Sequence, residues 1–428
     1  MDIYAENGAH RLGNLGDISM LRVALARLSS FWPESSINVV TSAPDKLAKL
    51  CPNARPINLS GRHIWFSPLI GRFSLLLPSS VAQHWSYLEW ELRQQAPSLV
   101  RSWWQLKLKV RRHDNKGFKS FLETVYESDL VVATGGGYIT DEFPELASTV
   151  LSMLGMAKKL GKPTVMLGHG LGPLQNPRLR TIAKAVLPSV DLITLRERRA
   201  GIPLLDSLGV SQKRVITTGD DAIELAYEAR NRELGQGIGV NLRMAKYAGV
   251  SGDMLETVRS ALQDVARIKG ALLLPLPISQ DASDVQTIQK LMAGYDDNSD
   301  GGESLDTPLK VIKQVGHCRV VVTGSYHAGV FALAQGIPVV GLAKSQYYID
   351  KFLGLADQFG TGCEVILLDD NQLREKLIVS IDNAWMSAET VRLQLLESAR
   401  RQIESGHAAY QRVYDLVNSR RAVSSMYH

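Results

Sequence analysis

One repeated pattern limits what this chain can fold into. Short β-branched runs, each closed by glycine or a polar turn, alternate with stretches of helical spacing. In the first half the runs are INVVTS (37–42), LVVAT (130–134), TVML (164–167), DLITL (191–195) and RVITT (214–218), with helical spacing over 148–159 and 179–187. Strand and helix in alternation predict a parallel sheet covered on both faces, because parallel neighbours need crossovers and the crossovers lie on the faces. The polar stretch EARNRELGQG (228–237) interrupts the pattern as a linker would. The alternation then restarts with IGVNLR (238–243), a helix over 254–269, ALLLPLPIS (271–279), CRVVV (318–322), VVGL (339–342) and CEVILL (363–368). A chain of 428 residues exceeds one ordinary domain. The reading is α/β: two Rossmann-like doubly wound domains, 1–228 and 236–387, followed by a helical segment over 388–428. Residues 60–127 form a helical insertion in the first domain.

Bulk chemistry removes several function classes. A hydrophobic content of 45% with 21% charged residues belongs to a folded globular chain. A net charge of +5 spread over this length implies no nucleic-acid partner. Cys51, Cys318 and Cys363 stand far apart without ligand spacing, and the acidic stretch 294–308 lacks the spacing of a calcium loop, so no metal is expected. No run reaches the ~18 apolar residues of a membrane span, and no charged-then-apolar leader opens the sequence. A cytoplasmic protein is expected. The insertion mixes aromatic and basic residues in HWSYLEWEL (84–92) and RSWWQLKLKVRRH (101–113). It reads either as a contact to the inner face of a membrane or to a lipid-linked substrate, or as helices packed on their own domain.

Ligands of parallel sheets bind at the carboxyl ends of the strands, and the polar residues of both halves gather there. In GNLGD, Gly13 and Gly16 permit a tight turn, and Asp17 can cap the helix that follows. ATGGGY places Gly135, Gly136 and Gly137 after a buried strand, where missing side chains let backbone approach an anion. GHGLGP sets His169 and Gly170 after the following strand, and Arg196 after the next can hold a phosphate or carboxylate as a fork. In the second half Arg243, Gln280, Ser325, Tyr326 and His327 occupy equivalent positions. These sets would face each other across an inter-domain cleft. For each motif the plain alternative is a glycine turn, and for His327 a satisfied residue at a helix start.

In order, the chain carries Asn14-Leu15-Gly16-Asp17, Gly135 to Gly137, Gly168 to Pro173, Arg196-Glu197 and Asp220-Asp221-Ala222. Ser325-Tyr326-His327-Ala328, Ile337-Pro338-Val339 and the pair Tyr348 and Lys351 follow. This series, over roughly 10 to 370, resembles the polysaccharide pyruvyl transferase family. The resemblance implies a fold similar to GT-B glycosyltransferases, with the site between the domains. It also implies transfer of pyruvyl from phosphoenolpyruvate to hydroxyls of a sugar in a surface polysaccharide or its lipid-linked precursor, as a ketal. Phosphoenolpyruvate is then the donor substrate and no cofactor is implied. His327 carries over as acid/base; Arg196, Arg243, Ser325, Tyr326, Lys344 and Lys351 as donor-binding residues. Asn14, Gly16, Asp17, the glycine triplet, His169 and Gly170 carry over as substrate loops. The family carries an arginine in the turn before the histidine, where this chain has Tyr326; Lys344, Arg243 and Arg196 are the candidates to replace that cation. His169 stands where the family has glutamine, and the family's D-P-A lacks its proline here. A GT-B glycosyltransferase using a sugar nucleotide and a non-catalytic glycan-binding relative remain open alternatives.

Overall fold

The computed structural model describes residues 1–428 except 9, 70–78, 111–115, 245–248, 281–282 and 426–428. Parts of the aromatic and basic insertion, including the end of its basic run, therefore lie outside the described residues. The remainder forms two parallel sheets. The first contains β1 (Asp2–Glu6), β2 (Ser36–Thr41), β3 (Ala54–Asn58), β4 (Leu130–Ala133), β5 (Gly136–Ile139), β6 (Thr164–Leu171), β7 (Leu192–Leu195) and β8 (Val215–Thr217). Their order is β3-β2-β1-β4-β6-β7-β8, with β5 pairing β6. The second contains β9 (Gly237–Asn241), β10 (Leu273–Pro275), β11 (Cys318–Thr323), β12 (Val339–Ala343) and β13 (Cys363–Leu367), in the order β10-β9-β11-β12-β13. Each order reverses once, between β1 and β4 and between β9 and β11. Those reversals open crevices at the carboxyl ends, where a doubly wound sheet binds ligand.

The core follows from the apolar runs. Every residue of β4 and β9 is buried, as continuous apolar strands demand when helices cover both faces. Two strands escape the sequence reading. β3 is short and contains Pro56, which only an edge position tolerates, and β3 ends the first sheet. β5 begins inside the glycine triplet, which the sequence presents as a bare turn.

The 53-residue helix Leu373–Ser425 starts well before residue 388, because no Gly or Pro interrupts that stretch. At about 1.5 Å per residue it is ~80 Å of helix, enough to run from the second domain back to the first. Near its middle Arg392 donates to the carbonyls of Gln335 and Asn231, which ties down the expected linker. Further on, Tyr410 donates to Asp221 at 2.9 Å and lies 4.9 Å from the guanidinium of Arg27. Arg27 in turn pairs with Asp221 at 2.8 Å and with Glu224. Removing one partner of a buried ion pair strands the other charge. Arg27→Ala is therefore expected to cost about 3–5 kcal/mol of stability, read as a lower denaturant midpoint; a loss within the range of a surface change would contradict the buried-network assignment.

The helical insertion packs part of its aromatic set on the first domain. Trp65, Trp90 and Trp104 are buried, and Trp90 donates to Ser152 at 2.9 Å. Among the described residues, no helix is long and apolar enough to cross a membrane.

Candidate active site

The two crevices meet in a cleft of about 130 Å³ between the domains. From the first domain come Gly8 after β1, Asn14 and Asp17 at the start of helix Leu15–Phe31, Gly137 and Tyr138 of β5, and Arg196 after β7. The second contributes Arg243 after β9, Ser325, Tyr326 and His327 after β11, and Tyr347, Tyr348 and Lys351 from helix Gln346–Phe359. Backbone fastens the edges together. Leu15 N–H donates to the Ile278 carbonyl at 2.8 Å, and Gln280 N–H donates to the Gly13 carbonyl at 2.7 Å. Tyr347 donates its hydroxyl to the Gly137 carbonyl at 2.9 Å.

Arg196 is the centre of the site. It is fully buried, and one guanidinium nitrogen donates to Asp220 at 3.3 Å. Its plane lies 4.1 Å over the ring of Tyr326, so the first domain delivers a guanidinium onto the turn where the sequence has tyrosine. The Nε and second Nη atoms are buried without a hydrogen-bond partner. A buried unpaired donor is costly, and the pair presents the fork geometry that grips a carboxylate or phosphate.

Two glycines make that geometry possible by absence. A Cβ on Gly170 would stand 2.6 Å from Arg196 Nε. On Gly137 it would meet Arg196 Nη2 at 2.8 Å and Lys351 Nζ at 2.9 Å. Cations from opposite domains thus converge on one glycine. Lys351 also lies 3.7 Å from the Tyr347 ring, and burial beside Arg196 holds its ammonium well below the usual lysine range. Gly137→Ala puts a methyl between flexible side-chain ends rather than against backbone. The chain should fold and lose at least about tenfold in anion affinity, measured by calorimetry with phosphate; unchanged affinity would move the anion site elsewhere.

His327 opens helix Tyr326–Ala334 and is buried under Gly16 of the other domain, whose added Cβ would overlap the imidazole. Its Nε2 has no hydrogen-bond partner and lies 3.7 Å from Asp220 Oδ2. Burial, then Arg196 and Lys351, push the ring well below the ordinary histidine value, so it is neutral near pH 7. Burial raises the Asp220 carboxyl to about 6 against the opposing pull of Arg196. Burial also raises Asp17, although Arg196, Lys351 and Arg243 counter it. Arg243 reaches the cleft while paired with Asp284 at 2.8 Å.

Some expected site residues lie elsewhere. His169 is wholly buried behind the cleft, bonded through Nε2 to the Ala133 carbonyl at 3.1 Å and set edge-on to Tyr138 at 5.1 Å. Burial pushes it down to about 4. Its strand continues past the glycine before it, which turns the ring into the sheet rather than the crevice. Gly135 packs on Met20, and Gly136 lies against Tyr138. Lys344 points toward Met254, outside the cleft. Conversely, Asp220, Tyr138 and Tyr347 are in place without having been singled out as site residues. Asp220 had a signal, since it leads the D-D-A element; the tyrosines had none beyond their closeness to the glycine triplet and the Tyr/Lys pair.

Comparison with known proteins adds three findings. A family model described as polysaccharide pyruvyl transferase matches residues 14–345. The amylovoran biosynthesis protein AmsJ of Erwinia amylovora is 22% identical over 225 residues, 50% of this chain and 47% of AmsJ, so the match spans about half the length of that curated relative. Among solved structures, UDP-GlcNAc 2-epimerase from Neisseria meningitidis bound to UDP-GlcNAc superposes with a TM-score of 0.55 at 12% identity, covering 98% of this chain and 100% of that one. The spinosyn rhamnosyltransferase SpnG gives 0.52 at 14%, covering 96% and 100%. These likenesses establish a GT-B-type fold of two Rossmann-like domains.

Proposed function

We infer that this chain, which belongs to the polysaccharide pyruvyl transferase family and is a transferase acting on polysaccharide, moves the pyruvyl group of phosphoenolpyruvate onto two hydroxyls of one sugar. The observation that carries this reading is the cross-domain cradle: Arg196 with two unpartnered donors, Lys351 beside it at Gly137, and neutral His327 adjoining both. A donor with a carboxylate and a phosphate matches a cradle built from a fork and a point charge.

The bonds balance as follows. Two C–O bonds form at the donor's C2 and the bond from C2 to the phosphate oxygen breaks. C3 gains one proton and becomes a methyl, and the second hydroxyl proton leaves with phosphate. A neutral imidazole can take a hydroxyl proton, and the imidazolium so formed finds Asp220 at 3.7 Å to stabilise it. Arg196 and Lys351 hold the developing phosphate charge in a site screened from water. AmsJ acts in amylovoran biosynthesis; a polysaccharide or its lipid-linked precursor is the corresponding acceptor here. The work place proposed is the cytoplasmic side of a membrane.

The test is calorimetry with phosphoenolpyruvate, followed by phosphate release on adding acceptor. Saturable binding and acceptor-dependent release are expected. Binding of a sugar nucleotide with none of phosphoenolpyruvate would instead assign a glycosyltransferase, and acceptor binding without turnover a glycan-binding relative.

A pH dependence follows from Asp220. With its value raised to about 6, the carboxyl is protonated below that pH and ionised above it. The rate should therefore rise as pH goes up through about 6, since only the carboxylate stabilises an imidazolium. Asp220→Asn should flatten that limb and lower kcat more than it changes KM. A limb that survives the substitution belongs to another group.

A further inference from the structure

The helix Pro97–Val110 is apolar on two opposite faces. One face buries Val100, Trp104 and Leu108 against the first domain. The other presents Leu99, Trp103, Leu106 and Val110 to water, at 68%, 49%, 59% and 74% exposure. At 3.6 residues per turn these four fall within an arc of about 60°, a continuous stripe rather than scattered side chains. The preceding helix Ser79–Gln95 adds exposed Leu88 and Leu92. Among the described residues, folding thus satisfies one face of this helix and leaves the other exposed.

The charges select the occupant. Between 97 and 110 the helix carries Arg101, Lys107 and Lys109 and no acidic residue. Lys109, exposed, falls roughly 90° from the stripe, while Lys107, about 70° to the other side, turns its ammonium back to the Leu69 carbonyl at 2.8 Å. Arg101 rests on Tyr126 and Lys107 on Trp104, so their stems are held while their charges remain. A symmetric contact with a second copy would set these like charges against each other. A tryptophan and three aliphatic residues beside exposed Lys109, on a helix with no acidic residue, instead match the interface of a bilayer with anionic headgroups.

We propose that the stripe formed by Leu99, Trp103, Leu106 and Val110 docks this protein on the surface of an anionic lipid bilayer. The helix Ser79–Gln95 of the same insertion, with helix Pro144–Lys159, walls a groove of about 490 Å³. Pro144 and Glu145 line that groove, and their chain neighbours Phe143 and Leu146 line the cleft. Docking through this insertion brings a bilayer to the domain that carries the groove, and a lipid-linked saccharide would arrive from that bilayer.

The test is co-sedimentation of the full chain with vesicles of phosphatidylcholine alone and of phosphatidylcholine with one third phosphatidylglycerol. Uptake by the anionic vesicles only is expected, weakened by added salt. The double variant Leu99→Glu, Trp103→Glu should cut that uptake at least about tenfold, and Lys109→Glu should weaken it less. All three positions are exposed, so melting temperature and turnover of a soluble acceptor should stay unchanged. Failure to sediment with anionic vesicles, or equal uptake by neutral ones, overturns the proposal. So does a concentration-dependent dimer in light scattering that the double variant abolishes while vesicles capture nothing.

Discussion

Arg196→Ala is expected to lower kcat/KM for the donor by about a thousandfold. The guanidinium offers two buried donors to the ligand, and charge-assisted bonds of this kind contribute about 1.5–3 kcal/mol each. Two of them correspond to roughly 10² to 10⁴ in rate. The loss should also appear as a missing donor isotherm, because the same group binds and stabilises the leaving charge. Truncation further leaves Asp220 buried beside no cation, so the carboxyl should bind a proton more readily still. Arg196→Lys separates folding from function: it restores the charge but not the fork, and should fold while recovering only part of the affinity. Donor binding unchanged in both variants would show that the cradle holds no donor.

His327→Asn is expected to act on the other half of the reaction. General acid–base catalysis by one side chain typically contributes about 10² to 10⁴ in rate. The substitution should take kcat down by that amount and leave the donor Kd within about threefold, because Arg196 and Lys351 hold the anion without help. Phosphate release under saturating donor and acceptor, with calorimetry beside it, measures both. A kcat within tenfold of the parent would mean that the imidazole merely fills space beneath Gly16. Its place in the cleft lining and the 3.7 Å from its Nε2 to Asp220 argue otherwise.

The fold was largely readable because its signal is local. A buried parallel strand must be apolar along its length, and runs such as LVVA and CRVVVT announce themselves. β3 was hidden because ARPIN mixes Pro and Arg, which an edge permits and a centre forbids. The early start of the last helix was hidden because helical spacing records a face, and the face this helix buries changes along its length. The site was less readable for a different reason. Position along a strand places a residue at a crevice, as for Asn14, Arg196 and His327, but does not say which way its side chain leaves the sheet. His169 and Gly137 sit in similar glycine-rich contexts; one closes the core behind Tyr138 and the other floors the cleft. Nor can sequence show that Arg196 reaches across to Tyr326, since that contact depends on how two separately folded sheets meet.

That meeting has a thermodynamic consequence. Gly16 covers His327 from the other domain, and the Tyr347 hydroxyl hangs from the carbonyl of Gly137, so the site is complete only in a molecule whose two domains meet in this way. The apparent Kd is then the intrinsic value divided by the fraction of molecules in that conformer. A substitution far from the cleft that leaves one molecule in ten closed would weaken apparent donor affinity about tenfold with no contact altered. The long terminal helix is fastened to both domains, through Arg392 at one and Tyr410 at the other, so substitutions along it are where such remote losses should be sought.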